Sequence, residues 1–295
     1  MKPDKRNAES SRRLAGAWRR HERRWKDHRF VYAVVSRRSG GVSVGLNLSP
    51  GKSCNFNCVY CQVERGAPLL SAGVDLDRLA AELDNILQSE KDGSLYMNDP
   101  FDALLPAERG LRDIAFSGDG EPTAYSRFEK AARVAAEARR VHGLRSSKLV
   151  LITNAAYLDE PGVSAALRIL DENNGEIWAK LDAGTEECFR EVNRSAIPLS
   201  KILENIQEAA RVRPLVIQSL WMRIRGGLPA ESELAAWRGR LKDILAGGGR
   251  LKAIHLNTIV RNPAENHVAP LTRGELERIE TFVKSEIPVP VEIYE

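Results

Sequence analysis

Three of the chain's four cysteines, Cys54, Cys58 and Cys61, stand within one short stretch, SCNFNCVYCQ. A disulfide framework takes cysteines in pairs, and a structural zinc site usually takes four ligands. Three thiolates at C-x3-C-x2-C spacing on one loop can instead hold three corners of a [4Fe–4S] cube, because cysteine thiolate is the usual ligand of such iron. The fourth iron then has no protein ligand and stays open to an exogenous molecule. The competing use of the same thiolates is zinc, completed by Cys188 or by a histidine such as His255. Cys188, in EECFREVNR, also reads as an ordinary buried cysteine on a helix.

Further residues with chemical potential recur at the ends of apolar runs. In FSGDGEPT, Gly118 and Gly120 would let backbone approach a ligand, and Glu121 offers a carboxylate to an ammonium group. The plainer reading is a strand-to-helix turn with Pro122 at the helix start, which leaves Glu121 unexplained. LITNA ends in Thr153 and Asn154, and Asn154 could equally turn the chain. In KLDAG, Asp182 could accept hydrogen bonds from ribose hydroxyls, and Lys180 shares its face, so the two could pair. In IHLNTIVRNPAE, His255 and Asn257 alternate onto one face, with Arg261 and Glu265 in the loop beyond. Arg261 and Glu265 suit a carboxylate ligand or each other, and His255 reads as a core histidine.

Something must hold these residues together. Short β-rich runs alternate with amphipathic segments, giving strands over 43–48, 113–117, 148–153, 177–182, 216–224 and 253–260, with a last short one over 289–294. Helices are expected over 76–88, 125–141, 161–170, 200–211, 232–245 and 273–286. Repeated β-then-α order implies parallel strands with helical crossovers, here a partial (β/α)6 barrel of the α/β class. Working residues of such barrels lie at the C-terminal strand ends, where each motif above falls. The long loop over 92–110 reads as a lid or an insertion.

A hydrophobic fraction of 43% with 28% charged residues, over 295 residues, fits a globular protein with a sizeable core. No apolar run reaches the roughly 20 residues of a membrane span, and no apolar signal core follows the N-terminal charges. Free thiols fit a reducing cytoplasm. Residues 1–29 carry eleven Lys and Arg against four acids, +7, which leaves −3 for the rest of a chain of net +4. We divide the chain into a basic N-terminal helical extension, 1–32, and a core domain, 33–295. Leu14, Trp18 and Trp25 fall on one helical face that could dock on the body; the other reading is an arm for RNA.

CNFNCVYC, with aromatic Tyr60 before the last cysteine, resembles the signature of the radical S-adenosylmethionine (SAM) enzymes. The resemblance implies one [4Fe–4S] cluster on Cys54, Cys58 and Cys61, with SAM on its open iron. One electron then cleaves SAM to methionine and a 5′-deoxyadenosyl radical that abstracts hydrogen from a substrate. It further implies that Gly118, Gly120 and Glu121 hold the methionine end of SAM, Asp182 the ribose, and Tyr60 and Asn257 the adenine side, with Asn154 facing SAM. A low-potential electron donor, flavodoxin or ferredoxin, is implied as well. Within the superfamily, SRRSGGVSVGLNLSPGKSCNFNCVYCQVERG, FSGDGEPT, KLDAGTEECFREVNR and LNTIVRNPAE are similar to the wyosine-synthase-like iron–sulfur oxidoreductases. The synthase of that name uses a second cluster, and outside the first three cysteines only Cys188 remains here, so wyosine synthesis is not the expected activity. A tRNA or nucleoside, a peptide, or a small metabolite are the candidate substrates. A noncatalytic iron–sulfur or zinc protein sensing redox state or RNA is the alternative, and it gives no reason for Glu121, Asp182 and Asn257 at strand ends.

Overall fold

The computed structural model describes residues 8–20, 25–63 and 73–295. Helix α1 (Ala8–Arg20) precedes an antiparallel hairpin of β1 (Val31–Ser36) and β2 (Gly41–Leu46). The chain then runs α2 (Leu76–Lys91), β3 (Leu111–Phe116), α3 (Phe128–Val141), β4 (Lys148–Thr153), α4 (Pro161–Glu172) and β5 (Gly175–Lys180). It continues α5 (Glu186–Asn193), α6 (Leu199–Val212), β6 (Leu215–Leu220), β7 (Met222–Ile224) and α7 (Glu231–Ala246). The last elements are β8 (Leu251–Asn257), β9 (Val268–Pro270), α8 (Arg273–Lys284) and β10 (Val291–Tyr294).

Eight strands form one sheet in the order β1-β2-β3-β4-β5-β6-β8-β10, parallel from β2 onward. The order follows the chain, as right-handed βα crossovers require, and β1 and β10 remain as edges, so the sheet curls into a partial barrel. Short β7 and β9 pair separately as an antiparallel ribbon. The helices form where apolar residues recur at helical spacing. In α2, Leu76, Leu79, Leu83, Ile86 and Leu87 are buried, and Asp75 caps the first turn by accepting from the amides of Asp77 and Arg78. Thr272 and Glu275 form a capping box at α8.

The sheet is buried on both faces, as parallel sheets must be. Ile114, Leu149, Leu151, Ile177, Ile217 and Ile254 belong to the main core beneath the helices. Truncating one to alanine should cost about 2–5 kcal/mol. A smaller cluster of Ala115, Val150, Trp178, Val216 and Ala253 fills the inside of the curl.

The N-terminal helix docks on this body. Leu14 is buried, Arg13 pairs with Asp99 at 2.7 Å and with Asp102, and Trp18 lies beside Arg37. Trp25 falls beyond the helix, buried edge-on against Phe101 at 5.8 Å. Lys2, Lys5, Arg6, Arg23 and Arg24 of the basic tract lie outside the described residues. The segment over 92–110 folds into three single 3-10 turns, and its Leu95, Phe101, Ala103 and Leu104 are buried, so it is part of the body. Three differences from the sequence reading are larger than a few residues at element ends. Strands β1 and β9 were not expected, and the strand expected over 216–224 is interrupted at Trp221, whose amide turns to the Asn257 carbonyl. Among the described residues, no helix is long and apolar enough to cross a membrane.

Candidate active site

The loop after β2 carries the three cysteines into the open end of the curl. Its backbone is pinned from outside: the amides of Asn57 and Val59 donate to the carbonyls of Asn193 and Val192, at the end of α5. Helix α5 is itself placed by its cap, Thr185, which accepts from the Cys188 amide. Cys54, Cys58 and Cys61 are half-buried thiols outside any disulfide, and all three line one cavity of about 290 Å³. Cys188 and His255 do not line it. Burial pushes the Cys58 thiol up to about 11, although nearby Lys180 opposes the shift. Cys188 is also raised, by burial first and by Glu233 next.

The same cavity is also lined by Gly118, Gly120, Glu121, Asn154, Tyr60 and Asp182. The glycines serve close packing. A Cβ on Gly120 would meet the Ser53 carbonyl at 1.9 Å, and one on Gly118 would meet Asn47 Oδ1 at 2.4 Å. The turn after β3 thus presses against the residue preceding Cys54. Glu121 is 3% exposed, and its carboxylate is taken up by protein donors. It accepts from the Thr123 amide at 3.1 Å, the Thr153 hydroxyl at 2.6 Å, the Asn154 amide at 2.7 Å and the Thr123 hydroxyl. Burial still leaves its pKa raised. Asn154 Nδ2 donates to Asn55 Oδ1 at 2.7 Å, which ties the end of β4 to the cysteine loop.

Asp182, 3% exposed, accepts from the Tyr60 hydroxyl, from Asn193 Nδ2 at 3.0 Å and from the Leu220 amide at 2.9 Å. Burial first, and then Asp182, raise the Tyr60 phenol well above its usual range. Lys180 Nζ stands 3.9 Å from Asp182, a loose version of the expected pair, and 4.5 Å from the centre of the Tyr60 ring. Asn257 lies in an adjoining cavity of about 140 Å³, whose walls also include Asp182, Gln218 and Arg261. Glu265 pairs with Arg194. His255 is a core residue, stacked edge-on between Trp178 at 5.2 Å and Tyr294 at 5.1 Å.

One residue the sequence reading passed over belongs here. Asn193 bonds Asp182 and also approaches Cys58 Sγ at 3.5 Å, so it links the carboxylate to the cysteine loop. Its only sequence signal was its place in KLDAGTEECFREVNR. Among the described residues, no three His, Cys, Asp or Glu side chains close on a point where a single metal ion would sit. Three half-buried thiols on one loop, with no fourth cysteine at the cavity, are the donor set of a cluster with one open iron. The residues present therefore fit a [4Fe–4S] cluster that keeps a site for a second molecule.

This fold and donor set define an enzyme class. The family model of the Radical SAM superfamily matches residues 48–222, more than half of the chain, and the chain belongs to that superfamily. The family's cofactors are a [4Fe–4S] cluster and SAM, and its members draw on an external reductant. The chain is 24% identical over 256 residues to a UPF0026 protein of Helicobacter pylori, covering 85% of this chain and 73% of that one. It is 22% identical over 275 residues to a protein of Brachyspira hyodysenteriae named GTPase Obg, covering 91% of this chain and 35% of that one. The chain thus spans about a third of one of these relatives and about three quarters of the other. Among solved structures it resembles a radical SAM methyltransferase from Sphaerobacter thermophilus, with TM-score 0.61 at 12% identity, covering 90% of this chain and 68% of that one. It also resembles TYW1 with a lysine–pyruvate adduct bound, with TM-score 0.53 at 12% identity, covering 92% and 81%. A third is Streptococcus suis SuiB bound to S-adenosylmethionine, with TM-score 0.53 at 13% identity, covering 83% and 45%. At these identities the structural likenesses speak for the fold.

Proposed function

We propose that this chain is a radical SAM enzyme in which Cys54, Cys58 and Cys61 hold one [4Fe–4S] cluster and the cavity beneath them holds SAM and a substrate. The observation that carries the reading is the cavity's composition. The three clustered cysteines line it without the fourth, together with the glycine turn and the strand-end polar residues. When bound, the cluster and SAM supply reductive cleavage to methionine and a 5′-deoxyadenosyl radical that takes hydrogen from the substrate.

The chain's own residues orient and enclose. Asn193 and the end of α5 fix the cysteine loop, and Glu121 fixes the turn of Gly118 and Gly120 against it. In this reading that turn and Asn154 take the methionine end of SAM. Asp182, already oriented by Tyr60, Asn193 and the Leu220 amide, keeps an acceptor position for the ribose. Tyr60 and Asn257 lie toward the adenine. Residues 1–32 form an N-terminal extension on a core of 33–295, working in a reducing cytoplasm with flavodoxin or ferredoxin as donor, and the basic extension offers phosphate contacts to an RNA.

Anaerobic reconstitution with iron and sulfide, followed by SAM and a strong reductant, tests the reading through 5′-deoxyadenosine. Wild type should produce it, and Cys58→Ala should lose both the cluster and the product. Product formation by Cys58→Ala, or bound zinc in place of iron in the wild type, would sink the assignment.

A further inference from the structure

Two of the cations on the walls shared by the two cavities, Arg38 and Lys180, stand near carboxylates that accept from other groups. The Arg38 guanidinium, from the β1–β2 turn, lies over the Trp178 ring at 5.2 Å and lines both cavities. It makes no hydrogen bond or ion pair among the described residues, although Asp113 is near. Asp113 spends its carboxylate on the hydroxyls of Ser39 and Ser43. Among the described residues Lys180 has no hydrogen-bond acceptor, its ion pair being the 3.9 Å approach to an Asp182 that already accepts from three neutral donors. Gln218 lines both cavities as well. It is 4% exposed, and among the described residues its Nε2 has no partner.

A buried amide donor left unpaired, such as Gln218 Nε2, costs about 1–3 kcal/mol. Asp113 and Asp182 accept their hydrogen bonds from neutral groups, while Arg38, Lys180 and the Gln218 amide line the cavities. That is the arrangement expected of a site completed by an oxyanion. Arg38 offers a planar fork suited to two oxygens of a carboxylate or phosphate, the Trp178 face restricts its orientation, and Gln218 adds a neutral donor beside it.

We infer that Arg38, Gln218 and Lys180 form an oxyanion subsite for the substrate, so that the molecule bound beside SAM is a small one bearing a carboxylate or a phosphate. The inference rests on the radical SAM reading only for what the anion is attached to; the subsite itself stands on this chain's side chains.

The test is calorimetric titration of the anaerobically reconstituted full chain with succinate and, separately, with inorganic phosphate, each with and without saturating SAM. Saturable binding of at least one anion is expected to persist in SAM, and the tighter of the two names the oxyanion. Arg38→Gln should raise its dissociation constant about tenfold or more, and Gln218→Leu about threefold or more, with SAM affinity unchanged. Should Arg38→Gln not fold, Gln218→Leu and the charge-retaining Arg38→Lys decide, the latter binding more tightly than Gln218→Leu only if charge at position 38 leads. The subsite is overturned if neither anion titrates, if the folded variants bind like wild type, or if SAM displaces the anion, which would assign these donors to SAM's own carboxylate. Anion binding with no SAM binding and no 5′-deoxyadenosine from wild type would instead overturn the enzyme reading and leave the subsite standing.

Discussion

The phenol of Tyr60 donates to the carboxylate of Asp182, a hydrogen bond across 122 positions of sequence. It joins the residue between the second and third cysteines to the residue just past β5. Both groups are buried, and the carboxylate has two further donors, Asn193 and the Leu220 amide. The cysteine loop and the strand end are thereby fixed relative to each other before any ligand arrives.

Tyr60→Phe removes one of three donors to a buried carboxylate. A hydrogen bond to a charged group contributes about 1.5–3 kcal/mol, so the variant should melt several degrees lower. Asp182→Asn should do likewise, and the double variant should lose less than the sum of the two, because they share one bond. Additive losses in thermal melts of all three proteins would show that the bond contributes nothing of its own.

Gly120→Ala would place a methyl group 1.9 Å from the Ser53 carbonyl, where no rotamer change relieves the clash, so the cysteine loop must shift. Iron bound per chain after reconstitution should fall well below wild type although all three cysteines remain. Gly162→Ala is the control, since a Cβ there meets nothing, and it should load iron normally. Equal iron content in the Gly120 variant would mean that the loop accommodates the shift freely.

Glu121 faces four donors and no cation. In Glu121→Gln, an oxygen turned to Thr123 and Thr153 leaves an NH2 facing the Asn154 amide, donor against donor. We expect a loss of about 1–3 kcal/mol in stability, with SAM affinity falling alongside as the turn loosens. A variant that melts like wild type and loses only SAM affinity would show instead that the carboxylate acts on the ligand directly.

The legible and illegible parts of this protein divide along sequence distance. Strand β4 falls over residues 148–153 as expected, because an apolar run between polar turns is a local signal. The cysteine loop was legible because three thiols at that spacing have few uses. Strand β1 was missed because VYAVVS follows a basic tract and owes its state to pairing with β2. Asn193 was missed because its bond to Cys58 spans 135 positions, and no spacing rule reaches that far. Of the oxyanion-facing donors, strand alternation had put Lys180 beside Asp182, but Arg38 stayed hidden. Arg38 sits in a turn sequence, SRRSGG, that reads as exposed until the curl of the sheet brings Trp178 beneath it.

His255 gives the pH dependence of stability a definite direction. Burial lowers its pKa to about 4, against the opposing charge of Glu292. The unfolded ring takes a proton near pH 6.5, whereas the folded ring stays neutral down to about 4. Between those values the unfolded state binds more protons, so stability falls as pH falls from about 6.5 and levels off, for this group, below about 4. The full excursion is on the order of 3 kcal/mol. His255→Phe keeps an aromatic ring between Trp178 and Tyr294 and forfeits no hydrogen bond at Nδ1, which has no partner among the described residues. The variant should therefore match wild type within about 1 kcal/mol at pH 8 and overtake it by pH 5. Urea unfolding at half-unit steps between pH 8 and pH 4.5 reads this directly. Parallel curves for the two proteins would mean that His255 titrates alike in both states and that the stack leaves room for its charge.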